Sequence, residues 1–79
     1  MIKEAVARRI VELCDGRGIS TNALANISGI DPSTIYSILG SKSQNPGIVT
    51  IKMICDGLDI SIAEFFDADV FRNLEQELK

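Results

Sequence analysis

Apolar residues in this chain recur at helical rather than strand spacing from its first residues onward. Ile2, Val6, Ile10, Leu13 and Cys14 fall at i, i+4, i+8, i+11 and i+12. That stripe predicts an amphipathic first helix over Ile2 to Asp15. Arg8, Arg9 and Glu12 lie off the stripe and read as its solvated face. Gly16-Arg17-Gly18 closes the helix, and Ile19 is placed as a hydrophobic staple for the next one. From Ser20 to Leu39 the pattern changes to two short helices joined by a tight turn. Ser20 suits an N-cap, and Leu24, Ala25 and Ile27 supply a buried face. Gly29 stands where a left-handed residue should end the helix. Asp31 restarts the chain as an N-cap, with Pro32 at the first helical position, where a missing N–H costs nothing. On this helix Ile35, Ile38 and Leu39 share one face. Ser33, Tyr36, Ser37 and Gly40 fall on the other, so an apolar back carries a polar front with one aromatic.

Gly40 to Gly47 is polar, glycine-bearing and closed by Asn-Pro-Gly, a loop in which Lys42, Ser41, Ser43 and Gln44 cluster donors. A fourth helix follows over Ile48 to Gly57, with Ile51, Ile54, Cys55 and Leu58 as its core set. Gly57 is expected to stop it. Ser61 and Glu64 have the spacing of a capping box, opening a short helix whose Ile62, Phe65 and Phe66 look buried. Asp67 to Lys79 reads as a last helix, capped by Asp67 or Asp69. Its apolar face of Val70, Phe71, Leu74 and Leu78 either folds back on the first helix or pairs with a second copy. No strand signal stands against this, so the fold class is all-α with five or six helices.

A chain of 79 residues suits one domain, 1–79, with a modest core. With no histidine and two widely separated cysteines, a zinc site and a Ser-His-Asp or Cys-His arrangement lack their residues. No enzyme is expected, and no cofactor. Cys14 and Cys55 sit on apolar helix faces and read as reduced core fillers. Neither a signal-peptide pattern nor an apolar run of membrane-spanning length is present, which points to a cytoplasmic location without membrane association. Net charge is −3, a poor omen for nucleic acid, but its distribution is uneven. Residues 1–52 carry six basic and four acidic groups, a balance of +2; residues 53–79 carry two and seven, a balance of −5. The cationic part holds the central helix pair, so a weak, salt-sensitive phosphate-facing surface is possible there.

Leu24-Ala25, Gly29-Ile30, Ser33-Thr34-Ile35 and Ile38, continued by Asn45-Pro46, Ile51/Ile54 and Ile60-Ser61…Phe65-Phe66, closely resemble the Cro/CI-like (Xre) helix-turn-helix family of bacterial and phage regulators. The resemblance runs from about Ile10 to Asp67, leaving a C-terminal helix of about 68–79. It implies a lambda-repressor-like domain in which the third helix enters the DNA major groove. Carried over by position, Pro32, Ser33, Tyr36 and Ser37 would face base edges. Ser20, Thr21 and Asn22 would face a phosphate at the second helix's N-terminus, and Lys42, Ser43 and Thr50 would hold the same backbone. This chain departs from the family where it has Thr21 for a frequent glutamine, Ser37 for a basic or amide residue, and Gly40-Ser41-Lys42 in the loop. These departures predict weaker or more selective binding.

The function expected is that of a sequence-specific, double-stranded DNA-binding regulator, acting as a repressor and as a homodimer on a two-fold operator. No small-molecule ligand is expected. The competing reading is a protein–protein interaction module that keeps the fold with weak or no DNA binding, motivated by the acidic tail and by Ser37.

Overall fold

The computed structural model describes residues 2–40, 46–74 and 76, and among these it consists of six helices and no strand. They are α1 (Ile2–Arg17), α2 (Thr21–Ser28), α3 (Pro32–Leu39), α4 (Ile48–Leu58), α5 (Ile62–Phe66) and α6 (Asp69–Arg72). Val6, Ile10 and Cys14 of α1 meet Leu24 and Ala25 of α2, Ile35 and Ile38 of α3, Ile51, Ile54, Cys55 and Leu58 of α4, and Phe65 of α5 in one core. Phe65 is fully buried, a side chain for which removal from water contributes about 1.5–3 kcal/mol.

Three of the helices end in the same way. After α1, α2 and α4 the chain turns through a left-handed residue, Gly18, Gly29 and Asp59 respectively. The next residue then donates its amide back to the helix: Ile19 to the Cys14 carbonyl, Ile30 to Ala25 and Ile60 to Cys55, each at 3.0 Å. This satisfies carbonyls that a helix end would otherwise leave bare. Each of those isoleucines also packs on the core, so the stop signal and the hydrophobic contact reinforce one another.

Several local expectations change in this setting. α1 runs on to Arg17 rather than Asp15, and Ile2, at its start, is exposed while Ala5 is buried. Ile27 points outward and is 53% exposed. The buried stripe of α2 is instead Leu24, Ala25 and Ser28, because small residues are needed where α2 crosses α4. Gly57 does not terminate α4; it lies inside the helix with Ser28 against it. Termination falls to Asp59. Of the expected α5 core residues, Phe65 is buried, Phe66 half-buried and Ile62 exposed.

Arg9 is not on a solvated face. Its Nε donates to the Phe65 carbonyl at 2.7 Å and its Nη2 to the Glu64 carbonyl at 2.8 Å. A cation at the end of α5 thus supplies a donor to the Phe65 carbonyl and a second one to the Glu64 carbonyl, which also accepts from the Asp67 amide at 3.2 Å. The last helix is a single turn, Asp69–Arg72, rather than a span to Lys79. Asp67 and Asp69 do not cap it; both pair with Arg72. Phe71 turns inward onto Phe65 and Phe66, with ring centroids 6.1 and 4.8 Å apart. A helix this short gains little from propagation, so one aromatic anchor decides its position.

Candidate nucleic-acid interface

The α2–α3 pair is set by signals within a few residues of each turn. Ser20 Oγ accepts from the Ala23 amide at 3.0 Å, which fixes the first turn of α2. Gly29, at φ 68°, reverses the chain. Asp31 Oδ1 then accepts from the Ser33 amide at 2.9 Å, and Pro32 supplies the first residue of α3. Ile35 and Ile38 anchor the back of α3 in the core, which leaves its front facing out.

On that front Ser33, Tyr36 and Ser37 are exposed, Tyr36 to 56%, and Pro32 is half-buried. Ser20 and Asn22 are exposed and Thr21 half-buried at the start of α2, as is Thr50 near the start of α4. Lys42 and Ser43 lie outside the described residues. Of the apolar seam expected near the C-terminus, Phe71 is engaged with the other two phenylalanines. Val70 and Leu74 line a groove against α1, and Leu78 lies outside the described residues.

Two hydrogen bonds organise the front of α3, and neither was read from the sequence. The Tyr36 hydroxyl donates to Asn22 Oδ1 at 3.2 Å, joining α3 to the N-terminal turn of α2. The Ser33 hydroxyl donates to Asp31 Oδ1 at 2.9 Å. The second had a visible signal, since an Asp two residues before a Ser at a helix start is a common local hydrogen-bonding arrangement. The first links residues 14 positions apart, and only the angle between the helices brings them together. Both donations from Ser33 hold the Asp31 carboxyl below the usual carboxylate range, the backbone amide being the larger cause.

Charge is locally moderate. Lys52 pairs with Asp56 on an exposed face of α4, and Arg9 with Glu12 at 3.4 Å. Both thiols, Cys14 and Cys55, are free and buried, and burial pushes their pKa values up. A groove of about 390 Å³ between α1 and α6, with Glu4, Arg8, Glu12 and Asp69 among its lining, takes no residue from α2 or α3. Among the described residues, no helix is long and apolar enough to cross a membrane.

Residues 9–69 match the Cro/C1-type HTH DNA-binding domain. Nothing among curated proteins matches the sequence. Among solved structures, the prophage Lp1 protein 11 is similar at 28% identity over 94% of this chain and 97% of that one, with a TM-score of 0.82. The wild-type restriction-modification controller protein C.Esp1396I is similar at 27% identity over 85% of this chain and 86% of that one, with a TM-score of 0.76. C.Esp1396I in a nucleoprotein complex gives the same values. Bound to a 19 base pair DNA duplex, C.Esp1396I superposes over 96% of this chain and 99% of that one, with a TM-score of 0.80. At the 24% identity of that last pair the likeness concerns the fold alone.

Proposed function

The chain belongs to the Cro/C1-type HTH DNA-binding domain family, and from that premise we propose that it is a sequence-specific transcriptional repressor that binds operator DNA as a homodimer in the cytoplasm. DNA binding is the property of the family; the repressor role, the pairing and the residue assignments are the proposal. One observation carries it. The polar front of α3 is open to solvent, with Ser33, Tyr36 and Ser37 exposed beside the exposed N-terminal turn of α2. A helix anchored on its back and bare on its front fits the major groove.

In this reading Pro32, Ser33, Tyr36 and Ser37 meet base edges. Ser20, Thr21, Asn22 and Thr50, with Lys42 and Ser43 of the loop, hold phosphates. The free amides at the start of α2 favour an anion. The occurrence of C.Esp1396I as a nucleoprotein complex supports the assignment by similarity. A module of this size buries too little DNA for high specificity alone; two copies double the contacts and set half-sites about one helical turn apart. Occupying promoter DNA in this way represses by excluding other proteins from the site.

The test is duplex binding at two salt concentrations, with footprinting and the mass of the complex. We expect affinity to fall as salt rises, a two-fold symmetric footprint, and an altered sequence preference in Tyr36→Ala. Affinity insensitive to salt, or an unchanged preference in that variant, refutes the proposal.

A further inference from the structure

Two of the hydroxyls on the front of α3, those of Tyr36 and Ser33, have their protons already committed. Tyr36 donates to Asn22 Oδ1, and Ser33 donates to Asp31 Oδ1. A hydroxyl has one proton and two lone pairs. Once the proton is used within the protein, only the lone pairs remain for a ligand. Asp31 is an acceptor only when ionised, and its pKa is held low, so Ser33 keeps this polarity at neutral pH. Asn22 is an amide with an acceptor and a donor end. With Oδ1 turned to Tyr36, its Nδ2 donors are left for a phosphate oxygen. The opposite orientation would turn Oδ1 towards phosphates at the α2 N-terminus, where acceptor would meet acceptor. A phosphate at that place therefore favours the orientation seen.

We propose that Asn22 and Asp31 lock the hydroxyls of Tyr36 and Ser33 as hydrogen-bond acceptors, so that the front of α3 reads exocyclic amino groups in the major groove. The proposal rests on the DNA-binding reading above and adds the chemistry of the bases read. In the major groove the amino donors are adenine N6 and cytosine N4; guanine and thymine present oxygens there. Every base pair carries one such amino group, on one strand or the other. An acceptor at a fixed place thus reports which strand bears it, and selects A or C over G or T at the contacted base. Asn22 and Asp31 are positioning residues: they act on the bases through the hydroxyls they orient. The pairing also spans two contact classes, because Asn22 faces the phosphate and Tyr36 the base. A register set by the backbone contact is passed directly to the reader.

The experiment is selection of binding sites from random duplexes by the full chain, by Tyr36→Phe, by Asn22→Ala and by Asn22→Asp. The position whose base preference Tyr36→Phe abolishes is the Tyr36 contact, and A or C is expected there. Replacing that base by purine or pyrimidin-2-one, which lack the amino group, should weaken the wild type about tenfold relative to Tyr36→Phe on the same duplexes. Asn22→Ala should lose the preference at the same position. Asn22→Asp still accepts from Tyr36, so it should keep the preference while binding more weakly, since its charge opposes the phosphate. A preference for G or T at that position, no position lost in Tyr36→Phe, or a full preference kept in Asn22→Ala overturns the locked-acceptor reading. Any of these with salt-sensitive duplex binding intact leaves the DNA-binding proposal standing. No duplex binding at low salt removes both.

Discussion

Gly57→Ala replaces one hydrogen by a methyl group where α4 lies close against α2. Gly57 lies inside α4, where alanine normally improves a helix by about 1 kcal/mol. Against that stands its surroundings. A Cβ on Gly57 would sit 2.4 Å from Ser28 Oγ, 3.0 Å from Ser28 Cα and 3.1 Å from the Ile27 carbonyl oxygen. Two of those three neighbours are backbone atoms of α2 and cannot rotate away, so α2 itself must shift. Overpacking of this kind costs about 1–3 kcal/mol, and backbone neighbours place it in the upper part of that range. The net expectation is a loss of about 1–2 kcal/mol, which in a domain of this size lowers Tm by roughly 4–8 °C per kcal/mol. Gly16→Ala is the internal control. It is the same change within α1, but nothing lies within 4 Å of the added atom. It should leave stability unchanged or raise it by up to about 1 kcal/mol. A third variant identifies the contact. Ser28 Oγ is buried without a hydrogen-bond partner, so Ser28→Ala removes the nearest clash at no cost in hydrogen bonding. The double variant Ser28→Ala/Gly57→Ala should recover part of the loss. Urea unfolding, read as midpoint and slope, measures the wild type and the four variants. If Gly57→Ala matches or exceeds the wild type, the close-approach account is wrong.

Two further predictions follow from the polar contacts. Arg9→Ala removes the donor to the Phe65 carbonyl and one of two donors to the Glu64 carbonyl, which keeps the Asp67 amide, and hydrogen bonds from a charged group contribute about 1.5–3 kcal/mol each when well buried. This site is partly exposed, so a total of about 2 kcal/mol is expected by urea unfolding; a loss indistinguishable from zero would mean that water replaces the guanidinium. Asp31 has a folded pKa below its ordinary value, so its contribution to stability is fully present above about pH 4 and is lost as pH falls through the folded pKa. Asn caps a helix as well as Asp but does not titrate here. The stability difference between wild type and Asp31→Asn should therefore be constant from pH 5 to 7 and turn against the wild type below pH 4. Parallel acid unfolding curves for the two proteins would refute it.

Much of the molecule was legible from the chain because its punctuation is local. Ser20, Gly29, Asp31, Pro32, Ser61 and Glu64 act on backbone groups no more than a few residues away. Their effect depends on φ, ψ and one side-chain oxygen, all encoded where they stand. The core stripes of α1, α3 and α4 follow from helical periodicity, and the order of elements follows from both. The family resemblance points to the polar face of α3.

What the tertiary structure decided are the matters that depend on which residue arrives from elsewhere. Apolarity alone puts Ile27 inside, yet the contact between α2 and α4 is too close for it and uses Ser28 and Gly57. Charge alone puts Arg9 outside, yet the carbonyls of α5, 55 and 56 residues later, hold it. Helix propensity made Gly57 a terminator, whereas its lack of a side chain serves a neighbouring helix. The hydrogen bonding on the polar front of α3 belongs to the same class. Tyr36 and Asn22 are ordinary polar residues on separate helices, and only the turn between α2 and α3 makes one hold the other's proton. Signals that act within one helical turn can be read along the chain; hydrogen bonds and clashes between helices depend on distances that the packed fold alone sets.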